Sequence, residues 1–193
     1  MPESISGEYH LTNVREMASG FLLHPDGRFE FYFSYGALDR FGKGNWELRG
    51  NAILFNSVAN PGPGFRLVSS RKNSEKLTLV RVESQNRMLL QFMYCSLAKG
   101  EGDSWFPMSR EGEIEYPPHP IESISLRFEF CPDQDLHYSV PDNEHNEFVF
   151  HPEPWLGEVF LENFELEIIP DGLRGKHPLM QGDSFSYGKT PES

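Results

Sequence analysis

Apolar and polar side chains alternate with a period of two through most of the chain, and stretches with the helical period of about 3.6 residues are nearly absent. In Arg28 to Tyr35, the residues Phe29, Phe31, Phe33 and Tyr35 share one face of a strand, and Arg28, Glu30 and Ser34 share the other. The same logic sets Ile124, Leu126, Phe128 and Phe130 opposite Ser125, Arg127 and Glu129, and Phe164, Leu166 and Ile168 opposite Glu165 and Glu167. Weaker patterns predict strands at 7–12, 17–24, 44–49, 52–57, 66–69, 77–83, 88–96, 147–151 and 158–161. Helix is expected only as a short turn near Ala37 to Arg40. The chain therefore reads as all-β.

Turn chemistry falls between these strands. Pro25-Asp26-Gly27 combines a preset φ with a glycine that tolerates positive φ, so residues 17–24 and 28–35 should form a hairpin. Arg49-Gly50-Asn51 and Ser84-Gln85-Asn86 read as two more tight connections. Residues 7–57 thus predict an antiparallel meander of five strands.

Asn60-Pro61-Gly62-Pro63-Gly64 interrupts the pattern, because proline cannot donate to a ladder, and Tyr116-Pro117-Pro118-His119-Pro120 interrupts it again. These breaks predict a barrel-like lobe from residues 1–60 and 132–193, with residues 63–131 as an inserted β-sandwich lobe. One continuous β domain is the alternative. Closure into a barrel would remove exposed strand edges.

Two segments carry a resemblance. Glu16-Met17-Ala18-Ser19, Pro25-Asp26-Gly27-Arg28-Phe29, Ser34-Tyr35-Gly36-Ala37-Leu38-Asp39 and Gly44-Asn45-Trp46 succeed one another near the start. Asn146-Glu147-Phe148, Leu156-Gly157, Phe164 and Ser184-Phe185-Ser186-Tyr187 follow near the end. This series, a DGxF hairpin, a YGAxD turn and a GxW strand, resembles a group of uncharacterised bacterial proteins over about half the chain. The resemblance implies a β-rich fold and no activity. Gly7-Glu8-Tyr9 before a meander is similar to the Gly-x-Trp that opens lipocalin-like barrels, with one position substituted.

Charge narrows the partners. The formal net charge is −12, and residues 131–193 hold three basic against thirteen acidic side chains. No Lys/Arg stripe with interleaved aromatics offsets this, so nucleic acid and anionic membranes are poor partners, whereas a cationic protein surface would suit the acidic third. No apolar run approaches the roughly 20 residues of a membrane span, and Met1 to Gly20 has no basic start followed by an apolar run. A cytoplasmic protein is expected. Cys95 and Cys131 end up in apolar strand contexts, which suits core thiols better than a bridge.

Candidate chemistry is sparse. Tyr35 and Asp39 flank a glycine turn at the tip of an aromatic strand, where two polar groups could orient an apolar ligand at a barrel mouth. Phe31, Phe33, Trp46 and Phe55, with Phe29, could line a cavity for that ligand or fill the space themselves. Asp133, Asp135, His137, Asp142, Glu144, His145, Glu147 and His151 supply nitrogen and oxygen ligand types, with His137, His145 and His151 the metal candidates, but their spacing matches no ligand pattern. Glu111, Glu113 and Glu115 alternate along an extended segment and read as a solvated edge. No GxSxG and no glycine-rich phosphate loop occurs. The expected function is therefore non-enzymatic binding of a small apolar or amphipathic molecule, with no cofactor. An acidic interaction module and a metal-dependent enzyme using residues 133–151 are the alternatives.

Overall fold

A computed structural model describes residues 5–36, 38–75, 77–98, 104–118, 120–141 and 144–191. Ala37 and Asp142 lie outside the described residues. The chain divides into two units: residues 1–61 with 157–193, and residues 62–156.

The first unit is a closed eight-stranded antiparallel barrel. Its strands are β1 (Gly7–Leu11), β2 (Met17–Leu23), β3 (Arg28–Tyr35), β4 (Leu38–Arg49) and β5 (Ala52–Ser57), followed late in the chain by β14 (Phe164–Ile169), β15 (Gly172–Gly175) and β16 (Phe185–Lys189). The meander β1 to β5 is continued by β14, β15 and β16, and β16 returns to pair with β1. At the β2–β3 turn Gly27 has φ +86°, and the Asp26 carboxylate accepts the Arg28 N–H at 3.2 Å. The Trp46 indole N–H donates to the His24 carbonyl at 3.0 Å, tying β4 to this hairpin.

Period-two alternation fills the barrel with aromatic rings. Phe21, Phe29, Phe31 and Phe55 are buried, and their centroids stand 4.8 to 6.4 Å apart wherever two of them meet. Each such ring contributes on the order of 1.5–3 kcal/mol by leaving water.

β4 is the strand that departs most from the sequence reading. The residues expected in a helical turn near 37–40 instead begin a twelve-residue strand at Leu38. Residues 38–45 pair with β3 and residues 44–49 pair with β5. Gly44 sits at the change of partner, and two residues earlier, at Gly42, a Cβ would come within 2.7 Å of the Val159 carbonyl. The segment expected as a strand at 158–161 makes only a bridge between Glu158 and Phe41, and the Val159 N–H donates to the Phe41 carbonyl at 2.7 Å. The buried Arg40 guanidinium donates to the Glu158 carbonyl at 3.0 Å, which holds that segment against β4.

The second unit contains β6 (Phe65–Arg71), β7 (Thr78–Val82), β8 (Met93–Ala98), β9 (Phe106–Pro107), β10 (Glu113–Tyr116), β11 (Ser123–Phe128), β12 (Leu136–Ser139) and β13 (Glu147–Pro152). They form two four-stranded sheets, β10-β7-β13-β6 and β12-β11-β8-β9. One apolar core draws on both, with Val80, Phe148 and Phe150 from the first sheet and Cys95, Ile124 and Leu126 from the second. The barrel boundary expected at residue 132 moves to 157, because β12 pairs with β11 and β13 pairs with β6 and β7. The strand expected from Met88 starts only at Met93; Arg87–Phe92 is a 3-10 turn, capped where the Asn86 side chain accepts the Met88 N–H. No helix among the described residues is long and apolar enough to cross a membrane.

Candidate functional site

The ligand residues expected at a barrel mouth do not converge. Register pairs Tyr35 with Leu38 and Ser34 with Asp39, so Tyr35 and Asp39 project from opposite faces of the β3–β4 hairpin. Tyr35 is 48% exposed and Asp39 is also exposed. Phe31, Phe33, Trp46 and Phe55 do share the barrel interior, where all four are buried and belong to one packed core.

The acidic and histidine-rich stretch does not assemble either. His137 meets the Ser125 hydroxyl at 3.0 Å, His145 meets Ser70 at 2.8 Å, and His151 meets Glu83 at 3.3 Å. Asp135 takes Arg127, and Glu147 takes Arg71 in a two-pronged pair at 2.7 and 3.0 Å. Among the described residues no three His, Cys, Asp or Glu side chains are placed to hold a metal ion. Glu113 and Glu115 lie on the edge strand β10, where Glu113 accepts from Arg81 at 2.7 Å. Cys95 and Cys131 are buried and not bridged by a disulfide, and burial pushes the Cys95 thiol up to about 12.

The barrel interior holds a polar group that its sequence context does not announce. His177, between β15 and β16, is 5% exposed. Its Nδ1 accepts the backbone N–H groups of Leu179 and Met180 at 3.0 and 3.1 Å, so Nδ1 carries the lone pair. In the neutral ring Nε2 then carries the hydrogen and donates to the Ser19 hydroxyl at 3.0 Å, and Ser19 donates onward to the Tyr32 carbonyl at 2.9 Å. That tautomer cannot take a proton from Ser19, so the pair is no nucleophile and base. The Tyr187 ring stacks on His177 at 6.3 Å, and its fully buried hydroxyl has no hydrogen-bond partner among the described residues.

On the outer face of the barrel, outward side chains of β1 to β4, with Val58 just beyond β5, border a groove of about 610 Å³. Register aligns Glu8, Leu22, Glu30 and Lys43 in one row across β1 to β4, and His10, Gly20, Tyr32 and Phe41 in the next. Val58 closes the first row beyond β5 and is 69% exposed, and Phe41 is 49% exposed. Glycine at position 20 leaves a gap in the second row that the Tyr32 ring covers, its hydroxyl 2.7 Å from His10 Nδ1. Burial, with the nearby Glu8 charge, raises the Tyr32 phenol above its ordinary value. Glu30 is held by His24 at 3.0 Å, leaving an apolar strip of Leu22, Tyr32, Phe41 and Val58 beside the Lys43 cation. Sequence reasoning missed this groove because its members are single outward residues from separate strands, and only register brings them together. No family model, curated protein or solved structure matches the chain.

Proposed function

We propose that this protein binds a small amphipathic molecule on the outer face of its barrel, in the groove across β1 to β4 that Val58 closes. The observation that carries this reading is the apolar strip of exposed Tyr32, Phe41 and Val58 with half-buried Leu22, bordered by charge at Glu30 and Lys43. Its volume of about 610 Å³ lies within the range of roughly 300–1,000 Å³ typical of ligand sites. An apolar body would lie along the strip with an anionic group at Lys43. The inward aromatics are spent on one another and stabilise the barrel that presents the strip.

The test is a titration of the full chain with the fluorescent amphipathic anion 8-anilinonaphthalene-1-sulfonate. Phe41→Ala should weaken binding about tenfold, the size of one lost apolar contact, at an unchanged thermal midpoint. Lys43→Glu should weaken it as well. Unaltered affinity in both variants would remove the groove as the site.

A further inference from the structure

Residues 176–184 join β15 to β16 and sit at the end of the barrel where β3 turns into β4, as the registers of Phe185 with Gly175, Tyr187 with Leu11, Gly20 with His10 and Tyr35 with Met17 require. Leu179 and Met180 pack against the barrel core, and His177 enters it between Phe33, Phe185 and Tyr187. The segment is seated through one ring: two of its own N–H groups end on Nδ1, and Nε2 reaches across to Ser19 on β2. We propose that this segment is a stopper in the barrel mouth that neutral His177 seats and that protonation of His177 releases.

The geometry makes the seating conditional on charge. A proton on Nδ1 would face two N–H donors, so both bonds that close the segment on itself are lost together and the donors oppose the new hydrogen. Among the described residues no charged group is bonded to the ring, and Nε2 keeps only the Ser19 hydroxyl. From β2 the ring meets Ser19, from β3 Phe31 and Phe33, and from β16 Phe185 and Tyr187. Tyr187 is the one titratable group among these, and burial raises it well above its ordinary value. Across β3, the buried Arg40 lies opposite Phe33 and donates to the Glu158 carbonyl. The segment's own Lys176 and Asp183 are exposed. Burial accordingly pushes the seated imidazole down to about 4, from 6.5 in an exposed ring.

The released state binds a proton that the seated state refuses between these two values. The ratio of released to seated segment should therefore rise about tenfold per pH unit below 6.5 and level off near pH 4, a total of about 300-fold. Amide hydrogen exchange of the full chain, corrected for the intrinsic rate at each pH, reads this ratio directly at Leu179 and Met180. Phe55, in the ladder of β5, is the reference. The expected result is a pH-dependent opening at Leu179 and Met180 with steady protection at Phe55, and loss of that dependence in His177→Gln. Flat profiles at Leu179 and Met180, or a parallel rise at Phe55 marking global acid unfolding, would overturn the proposal in the wild-type chain alone, whether or not the variant folds.

Discussion

Tyr32 on β3 lies across Gly20 on β2, with its ring and hydroxyl both 3.0 Å from the position a Cβ would take there. A glycine inside a strand weakens it, and an aromatic side chain from the neighbouring strand restores the missing cover. The same ring forms part of the groove wall, so the device that repairs β2 also shapes the proposed binding face.

Gly20→Ala is therefore expected to destabilise the barrel despite alanine's better strand entropy. The added methyl would run into the Tyr9 carbonyl, and backbone on β1 cannot step aside as a flexible side chain can. Overpacking of this kind costs about 1–3 kcal/mol, which denaturant unfolding would read as a lower midpoint with an unchanged slope.

How much of this was legible beforehand depended on whether a segment's neighbours agree with its own alternation. Arg28–Tyr35 is recovered residue for residue, because its inward phenylalanines and outward charges follow the pleat without exception. Leu38–Arg40 is misread because the inward position holds a charge, Arg40, which donates to carbonyls over a hundred residues away. β15 and β16 have too few apolar residues to signal strands, and are strands because they close the barrel between β14 and β1. Met88 to Phe92 looks like the start of a strand by composition, and the Asn86 cap diverts it into a 3-10 turn. The site suffered more. Tyr35 and Asp39 are neighbours in sequence and lie on opposite faces, whereas Leu22 and Val58 are far apart in sequence and edge one groove.

Glu113, Arg81, Glu147 and Arg71 form a chain of ion pairs of alternating sign across the sheet β10-β7-β13-β6, which should make the second unit sensitive to acid. The Arg71 guanidinium, with help from Asn73 and Arg81, holds the Glu147 carboxyl below its ordinary value of 4.5. A carboxyl depressed on folding stabilises the fold above pH 4.5, and that contribution is lost as pH falls through the lower folded value. Glu147→Gln removes the titrating group and keeps the shape. Denaturant unfolding at pH 7 and pH 3 should show a smaller difference in the variant than in the wild type, and an equal difference would place the acid sensitivity elsewhere.

Two buried tyrosines in the barrel give the sharpest contrast. The Tyr9 hydroxyl donates to the Ile5 carbonyl at 2.6 Å, whereas the Tyr187 hydroxyl is buried without a partner among the described residues. A net hydrogen bond contributes about 1 kcal/mol, while a buried hydroxyl without one bears its full loss of hydration. Removing each oxygen should thus have opposite consequences. Tyr9→Phe is expected to lower stability by about 1 kcal/mol, and Tyr187→Phe to leave it unchanged or raise it by up to about 1 kcal/mol, because the ring contacts with Phe21 and His177 survive. Equal losses in the two variants would mean that the Tyr187 oxygen is satisfied in the folded protein.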